Sequence, residues 1–322
     1  IANLVNAKPN EIIFTSGGTE ANNLALHQVE RGFAIVSNIE HQSILNSSVK
    51  KQLLEVSNKG VVKIDGFEEQ FTKNKKIRLI SLMHANNETG ILQPVKEVAA
   101  LAKNLGILSH CDAIQSFGKV DVDWKKLGVD MMSISGHKLG GPQGVGALVV
   151  DENIDLIPMI AGGGQEKGAR SGTENLAGAV GFGVAAELVQ KNRSKMEETR
   201  ALRNQLENEL LSISPQVIVH GVGMPRLPNT SCISMPGVEA ELQLAAFDLD
   251  GIMVSAGSAC SSGKVGASHV LTSMNCEAEQ IASAIRVSFG WGSSELDVRS
   301  FINSWKRLFE STRQQNNMGA AA

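Results

Sequence analysis

The chain has 322 residues, enough for one large α/β domain or two domains with a sizeable core. Hydrophobic residues make up 42% and charged residues 20%, which is ordinary for a globular protein, and a net charge of -3 argues against nucleic acid or a membrane surface as a partner. No apolar run reaches the roughly 18 residues that span a bilayer, and no signal peptide is read at the start. The four cysteines, Cys111, Cys232, Cys260 and Cys276, form no C-x-x-C pair. That speaks against a zinc site or a disulfide framework and for a reducing, cytoplasmic setting.

The sequence begins at Ile1 rather than methionine, inside the helix-like "IANLVNA", so its N-terminus is expected to be processed or truncated. "EIIFTS" predicts a strand and "TEANNLALHQV" a helix. "FAIVSN" is the next strand, followed by a helix over "QSILNSSVKKQLLEV" and a strand at "VVKID". "IRLISLM" predicts a strand, and "PVKEVAALAKNLG" a helix with proline at its start and glycine at its end. "ILSHC", "DMMSIS" and "GVGALVV" are further strands. The alternation predicts a mostly parallel sheet with helices on both faces, and ligands in such sheets bind outside the carboxyl ends of the strands.

Near residue 190 the character changes. "VQKNRSKMEETRALRNQLENELL" predicts one long charged helix, and shorter units follow at "SCISM", "EAELQLAAFDL", "IMVSAG" and "AIRVSFG". The last helix, "SSELDVRSFINSWKRLFE", puts Val298, Phe301, Ile302, Trp305, Leu308 and Phe309 on one face, with "NNMGAAA" expected to fray after it. The expected division is a large domain over 1–192 and a smaller α+β domain over 193–322.

Three stretches carry chemistry at strand ends. In "FTSGGTEANN" a strand runs into Ser16, Gly17 and Gly18, and Thr19 opens a helix. Glycines let backbone N–H groups approach a ligand, and a helix N-terminus favours an anion. Taken alone, the pattern is more often an ordinary cap and glycine turn. In "SHCDAIQS", Asp112 directly follows an apolar strand, where it could cap the next helix or pair with a protonated ring nitrogen. In "SISGHKLGGPQG", Lys138 precedes the glycines, which excludes a Walker A loop. A lysine crowded by other cations at a strand end can serve as an amine nucleophile. A phosphate cradle, an aspartate for a ring nitrogen and a lysine for a covalent link are together what a pyridoxal phosphate (PLP) site requires.

At this point the sequence resembles a known family. It looks like the fold-type I PLP enzymes of aminotransferase class V, and within them the cysteine desulfurases of the NifS/IscS type. The motifs that carry the resemblance are "TSGGTEANNLA", "EHQSIL", "HANNETG", "CDAIQS", "SGHKLGGPQG", "GGGQEKGARSGTEN", "GSACSS" and "IRVSFG". The resemblance implies a covalent link of PLP to Lys138, with Asp112 on the ring nitrogen, His41 on the ring face and Gln115 on the phenolic oxygen. Gly18, Thr19, Ser135 and His137 would hold the phosphate, and Thr173 would reach the phosphate of a second copy, hence a homodimer. Asn87 would serve both cofactor and substrate, and Arg286 would take the substrate carboxylate. Without the resemblance, His41 reads as a core histidine and Arg286 as a surface ion pair.

Cys260 decides the implied reaction. It stands among Gly257, Ser258, Ala259, Ser261, Ser262 and Gly263, a loop composition that suits a reactive thiol. Cys111, Cys232 and Cys276 read as packing. The implied reaction converts L-cysteine to L-alanine and leaves a persulfide on Cys260. That sulfur would go to an acceptor protein, either an iron–sulfur scaffold or a tRNA-thiolation protein. No metal, nucleic acid or membrane enters this reading. The alternatives are an aminotransferase or selenocysteine lyase using the same cofactor, or a catalytically silent interaction subunit. Two departures stand out. The family's N-terminal "LDxAATTP"-like segment is absent, and "SFGWGSSELD" replaces the usual "GRxTTxEE" pattern.

Overall fold

The computed structural model describes residues 1–65, 76–257 and 266–319. They form two compact units. The first comprises residues 1–57, 61–86 and 92–193, and the second 58–60, 87–91 and the chain from 194 onward.

The first unit is built on a seven-stranded sheet. Its strands are β1 (Ile12–Thr15), β2 (Phe33–Ser37), β3 (Lys51–Leu54), β4 (Ile77–Met83), β5 (Leu108–Asp112), β6 (Met131–Ser135) and β7 (Gly146–Val150). Their spatial order is β1-β7-β6-β5-β4-β2-β3. Strands β3, β2, β4, β5 and β6 pair in parallel. Only β7 is reversed, pairing antiparallel with β6 and β1. The expected mostly parallel sheet is therefore present with one antiparallel strand, and β1 has the same sense as β6. All of β6 and β7 is buried, so these runs are continuous rather than alternating. Gly146 allows the tight seam with β1, because a Cβ there would lie 2.6 Å from the Gly17 carbonyl carbon.

The helices of this unit are α1 (Ala2–Val5), α2 (Gly18–His27), α3 (Gln42–Leu45), α4 (Val95–Leu105), α5 (Trp124–Leu127) and α6 (Leu176–Lys191). Helix α2 packs on β6 and β7, and its Ala21, Leu24 and Ala25 join Ile13, Leu79, Met131 and Leu148 in one core cluster. A fully buried leucine there contributes about 2 kcal/mol. Helix α4 follows its sequence signals closely. Pro94 caps it, Gly106 ends it at φ 67°, and Val95, Val98, Ala99 and Ala102 are buried where it packs on β4 and β5.

Three expectations change. The helix expected over 42–56 stops after Leu45, and Lys51–Leu54 instead forms β3, with Ala34 opposite Lys51 and Ser37 opposite Leu54. Asn46, Ser47 and Ser48 interrupt the helix, and Lys51 Nζ turns back to Val49 O at 2.9 Å. "VVKID" contributes only a bridge from Val62 to Val56 rather than a strand. The long helix expected from Val189 is two helices. Asn192 ends α6 by donating its side-chain amide to Leu188 O at 2.7 Å, and α7 begins at Ser194.

The second unit holds α7 (Ser194–Ile213), α8 (Ala240–Leu249), α9 (His269–Ser273), α10 (Ala278–Ala282) and α11 (Glu295–Gly319), so α11 continues into the tail expected to fray. Its sheet, in the order β10-β11-β9-β8, is antiparallel throughout: β8 (Ile218–Val219), β9 (Thr230–Ser234), β10 (Ser255–Ala256) and β11 (Ala284–Ser288). The α11 stripe forms the core as its spacing predicts. Trp305 stacks on Phe309 at 4.9 Å and Phe301 on Phe247 at 4.7 Å. Residues 87–91 belong to this unit, which a split at 192/193 does not include. Leu227 N donates to Gly90 O at 2.8 Å. Among the described residues, no helix is long and apolar enough to cross a membrane, and no three His, Cys, Asp or Glu side chains gather as a metal site requires.

Candidate active site

Five strand ends meet at the carboxyl edge of the first unit's sheet. Gly17 and Gly18 follow β1, His41 follows β2 and His84 follows β4; Asp112 closes β5, and Lys138 follows β6. Ligands of open α/β sheets bind at such an edge.

Asp112 is delivered by β5 with only 4% exposure. Asn22 Nδ2 donates to its Oδ2 at 2.8 Å, and the Ile114 amide donates to its Oδ1 at 2.9 Å. Asn22 lies one turn beyond Gly18 on α2, so the helix brings the glycine turn and the Asp112 anchor together. Asn22 Nδ2 also lies 2.9 Å from Ser43 Oγ. The Ser43 amide and hydroxyl lie 3.1 and 2.8 Å from His41 Nδ1. A backbone amide can only donate, so His41 Nδ1 is an acceptor and its ring proton sits on Nε2. Burial pushes the Asp112 carboxyl above the usual range. The Ile114 amide, Asn22 and the neighbouring His41 and Lys138 side chains pull it back. A cationic ring nitrogen beside it would stabilise the ionised form.

The phosphate candidates gather next to this network. Ser135 Oγ is buried 2.9 Å from His137 Nδ1. A Cβ at Gly18 would overlap Ile114 Cδ1 and come within 3.5 Å of Ser135 Cβ, so glycine lets the start of α2 approach here without displacing the Ile114 side chain. Gly17, the N-cap, has no side chain to occupy the first-turn amides, and an anion can take that place. The pKa of His137 is lowered by burial, then by the charges of Lys138 and Lys119. This marks a positive setting suited to phosphate. Gln115 Oε1 accepts from Lys119 Nζ at 2.9 Å. These features fit PLP: a buried acid for its ring nitrogen, an anion cradle, and a lysine at the next strand end.

Thr173 is exposed in a separate cleft lined by Phe14, Ser16, Gly144, Glu166 and Arg170. Arg170 holds Glu20 with two bonds, of 2.8 and 3.3 Å. Burial works to raise the Glu20 carboxyl, but Arg170 and Ser16 outweigh it and leave it lowered.

Asn87 and Arg286 meet inside the second unit. Arg286 lies opposite Cys232 on β9 and Ser255 on β10, and its Nη1 donates to Asn87 O at 2.9 Å. Its Nε and Asn87 Oδ1 are buried without a hydrogen-bond partner among the described residues. A part-buried guanidinium with an unsatisfied N–H suits a carboxylate ligand better than a surface ion pair does. Glu88 is 2% exposed. Burial raises its carboxyl to about 7, against the pull of Ser268 and Arg286.

Cys260 lies outside the described residues. Cys111 and Cys232 are buried, and burial pushes both thiols up. Half-buried Cys276 stands 3.7 Å from His220 Nδ1 and is raised by burial and by Glu277. Two further residues, Asn22 and His84, stand at this edge. Asn22 was legible as the i+4 neighbour of Gly18 on a helix. His84 stands directly after an apolar strand; its Nδ1 is buried and unpartnered among the described residues, and burial lowers its pKa to about 4.

The aminotransferase class-V family matches residues 1–301. A protein of Trichormus variabilis named cysteine desulfurase 2 is 37% identical over 97% of this chain and 81% of its own length. The cysteine desulfurase IscS of Dictyoglomus turgidum is 38% identical over 97% of this chain and 82% of its own. Among solved structures, a NifS-like protein from Rickettsia africae superposes with a TM-score of 0.88 at 35% identity, covering 96% of this chain and 85% of that one. SspA in complex with cysteine gives a TM-score of 0.76 at 31% identity, covering 90% of this chain and 84% of that one.

Proposed function

The chain belongs to the aminotransferase class-V family, beside the cysteine desulfurases that match nearly its whole length, and from that premise we propose that it is a PLP-dependent cysteine desulfurase. The observation that carries the reading is the buried Asp112, held by Asn22 and Ile114 at a sheet edge that also presents Lys138.

When bound, PLP supplies an electron sink for the pair left at the amino acid's Cα. Lys138 Nζ would carry the covalent link and, once released, take the Cα proton. Asp112 would keep a protonated ring nitrogen charged, with His41 over the ring face and Gln115 on the phenolic oxygen. Gly18, Thr19, Ser135 and His137 would bind the phosphate. Asn87 and Arg286 would hold the substrate carboxylate, for which an arginine fork is suited.

Cys260 would then attack the substrate sulfur as thiolate. The Cβ–S bond breaks, and a new S–S bond forms on Cys260. Overall, L-cysteine and the Cys260 thiol become L-alanine and a Cys260 persulfide, so atoms balance without an added oxidant. The sulfur would pass to an acceptor protein of iron–sulfur assembly or tRNA thiolation, in a reducing cytoplasm where a free thiol persists. The first unit would act as the PLP-binding domain and the second as the domain bearing the Cys260 segment.

A homodimer is part of this reading. Thr173 would reach the phosphate held by the second copy. Just beyond it, α6 exposes Leu176, Val180, Val184 and Leu188 at 74, 59, 52 and 44%. Their four-residue spacing makes one apolar stripe, which a second copy would cover. Adding L-cysteine to the PLP-loaded chain and measuring alanine tests the function.

A further inference from the structure

Glu40 is fully buried immediately before His41. Its Oε1 accepts from Ser37 Oγ at 2.6 Å, on the last residue of β2. The same oxygen accepts from the Met83 amide at 2.9 Å, on the last residue of β4. Met83 stands opposite Asp112 in the β4–β5 register. From Asp112 the contacts return through Asn22 and Ser43 to His41, the chain neighbour of Glu40. The Glu40 carboxyl thus closes a ring of contacts around two of the residues assigned to the cofactor.

We propose that Glu40 is a positioning residue that works uncharged, holding the turn that presents His41 against the strand end beside Asp112. The proposal rests on the reading that His41 and Asp112 hold the PLP ring.

Electrostatics agrees with the geometry. Burial, the largest influence, pushes the Glu40 carboxyl up to about 8; Ser37 and Met83 pull against it, and the charge of Asp112 adds to the rise. The titratable groups facing it include Asp112 and Cys111 on β5. An ionised Glu40 would set a second buried negative charge near Asp112, raise that carboxyl further and weaken its hold on a protonated ring nitrogen. The two hydrogen bonds need only an acceptor oxygen, which a neutral acid or an amide supplies equally.

The sign of the pH dependence follows. In the unfolded chain the carboxyl loses its proton near 4.5, whereas in the folded chain it keeps it to about 8. Between those values the folded state binds more protons, so this group makes stability fall as pH rises.

The test compares the wild-type chain, Glu40→Gln and Glu40→Ala, each PLP-free and PLP-loaded. PLP affinity is read by absorbance titration, and the PLP-free stability by urea unfolding from about pH 5 to about pH 8. Glu40→Gln is expected to hold PLP within about twofold of wild type, whereas Glu40→Ala weakens it roughly tenfold. The urea midpoint of Glu40→Gln is expected to gain on wild type steadily as pH rises. If Glu40→Ala fails to fold, the Gln comparison decides alone. A Gln variant that loses PLP affinity as Ala does, or stability profiles that run parallel in wild type and Gln, overturns the proposal. A wild-type chain that takes up no PLP overturns the reading of the site and the positioning role with it. Normal uptake with parallel profiles overturns the proposal only.

Discussion

Asn22 Nδ2 and Asp112 Oδ2 stand 2.8 Å apart, joining α2 to the end of β5 across 90 positions of sequence. The same amide reaches Ser43 Oγ, which serves His41. One side chain therefore sets both the acid assigned to the ring nitrogen and the imidazole assigned to the ring face. Asn22→Ala should leave the fold intact but cut PLP affinity roughly tenfold, the cost of an unmade bond to a charged group. Asn22→Asp should do worse, since it sets a like charge against Asp112. Fluorescence titration with PLP measures both, and equal affinity in all three proteins would remove Asn22 from the site.

The covalent link is the second expectation. Lys138→Ala should abolish the borohydride-reducible attachment of PLP, because Lys138 is the lysine whose charge Asp112 feels. Peptide mapping of the reduced wild-type protein should find the label on Lys138, and a label on any other lysine would reassign the site.

Assembly is the third. Val180→Glu with Val184→Glu changes two side chains that are more than half exposed in the chain alone, so folding should survive. Association should weaken at least about tenfold, because two buried charges per copy face an apolar partner. Thr173→Ala should keep the dimer and lower PLP affinity. Sedimentation at falling concentration, read at the cofactor band, separates the two effects. An unchanged dimer in the double variant would place the interface elsewhere.

Glu88 yields a pH dependence. Its folded pKa is raised by burial from 4.5 to about 7. The folded chain therefore keeps a proton that the unfolded chain releases, and stability falls as pH rises through this window before levelling off. The full effect is on the order of 3 kcal/mol. Glu88→Gln should remove that slope, and urea unfolding across the window checks it. A slope identical to wild type would mean that Glu88 ionises normally.

Much of this site is legible in the sequence, for local reasons. Apolar runs bounded by glycine mark β5, β6 and β7, and the residues directly after such runs fall at one edge. The stripe Val298, Phe301, Ile302 and Trp305 fits a single helix face and forms the second core. Elements that depend on pairing are harder to see. Lys51–Leu54 is polar enough to continue a helix, and becomes a strand only because β2 offers an edge. Helix α6 contains Gly178, Gly181 and Gly183, which lower helix propensity. Gly181 is needed there because a Cβ would press on Pro142 Cγ at 2.5 Å. Glu40 acts through contacts made between the ends of β2 and β4, so no local pattern marks it.

Alanine and persulfide formation test the central claim most directly. The PLP-loaded wild-type chain and Cys260→Ser are each given L-cysteine. Alanine is quantified and the bound sulfur is located by mass spectrometry. The wild-type chain should form alanine and carry its persulfide on Cys260. Cys260→Ser should bind PLP and show the cysteine-induced spectral change, yet form alanine slower by roughly two orders of magnitude or more, since a hydroxyl does not accept sulfur as a thiolate does. Normal alanine turnover in Cys260→Ser would contradict the desulfurase account.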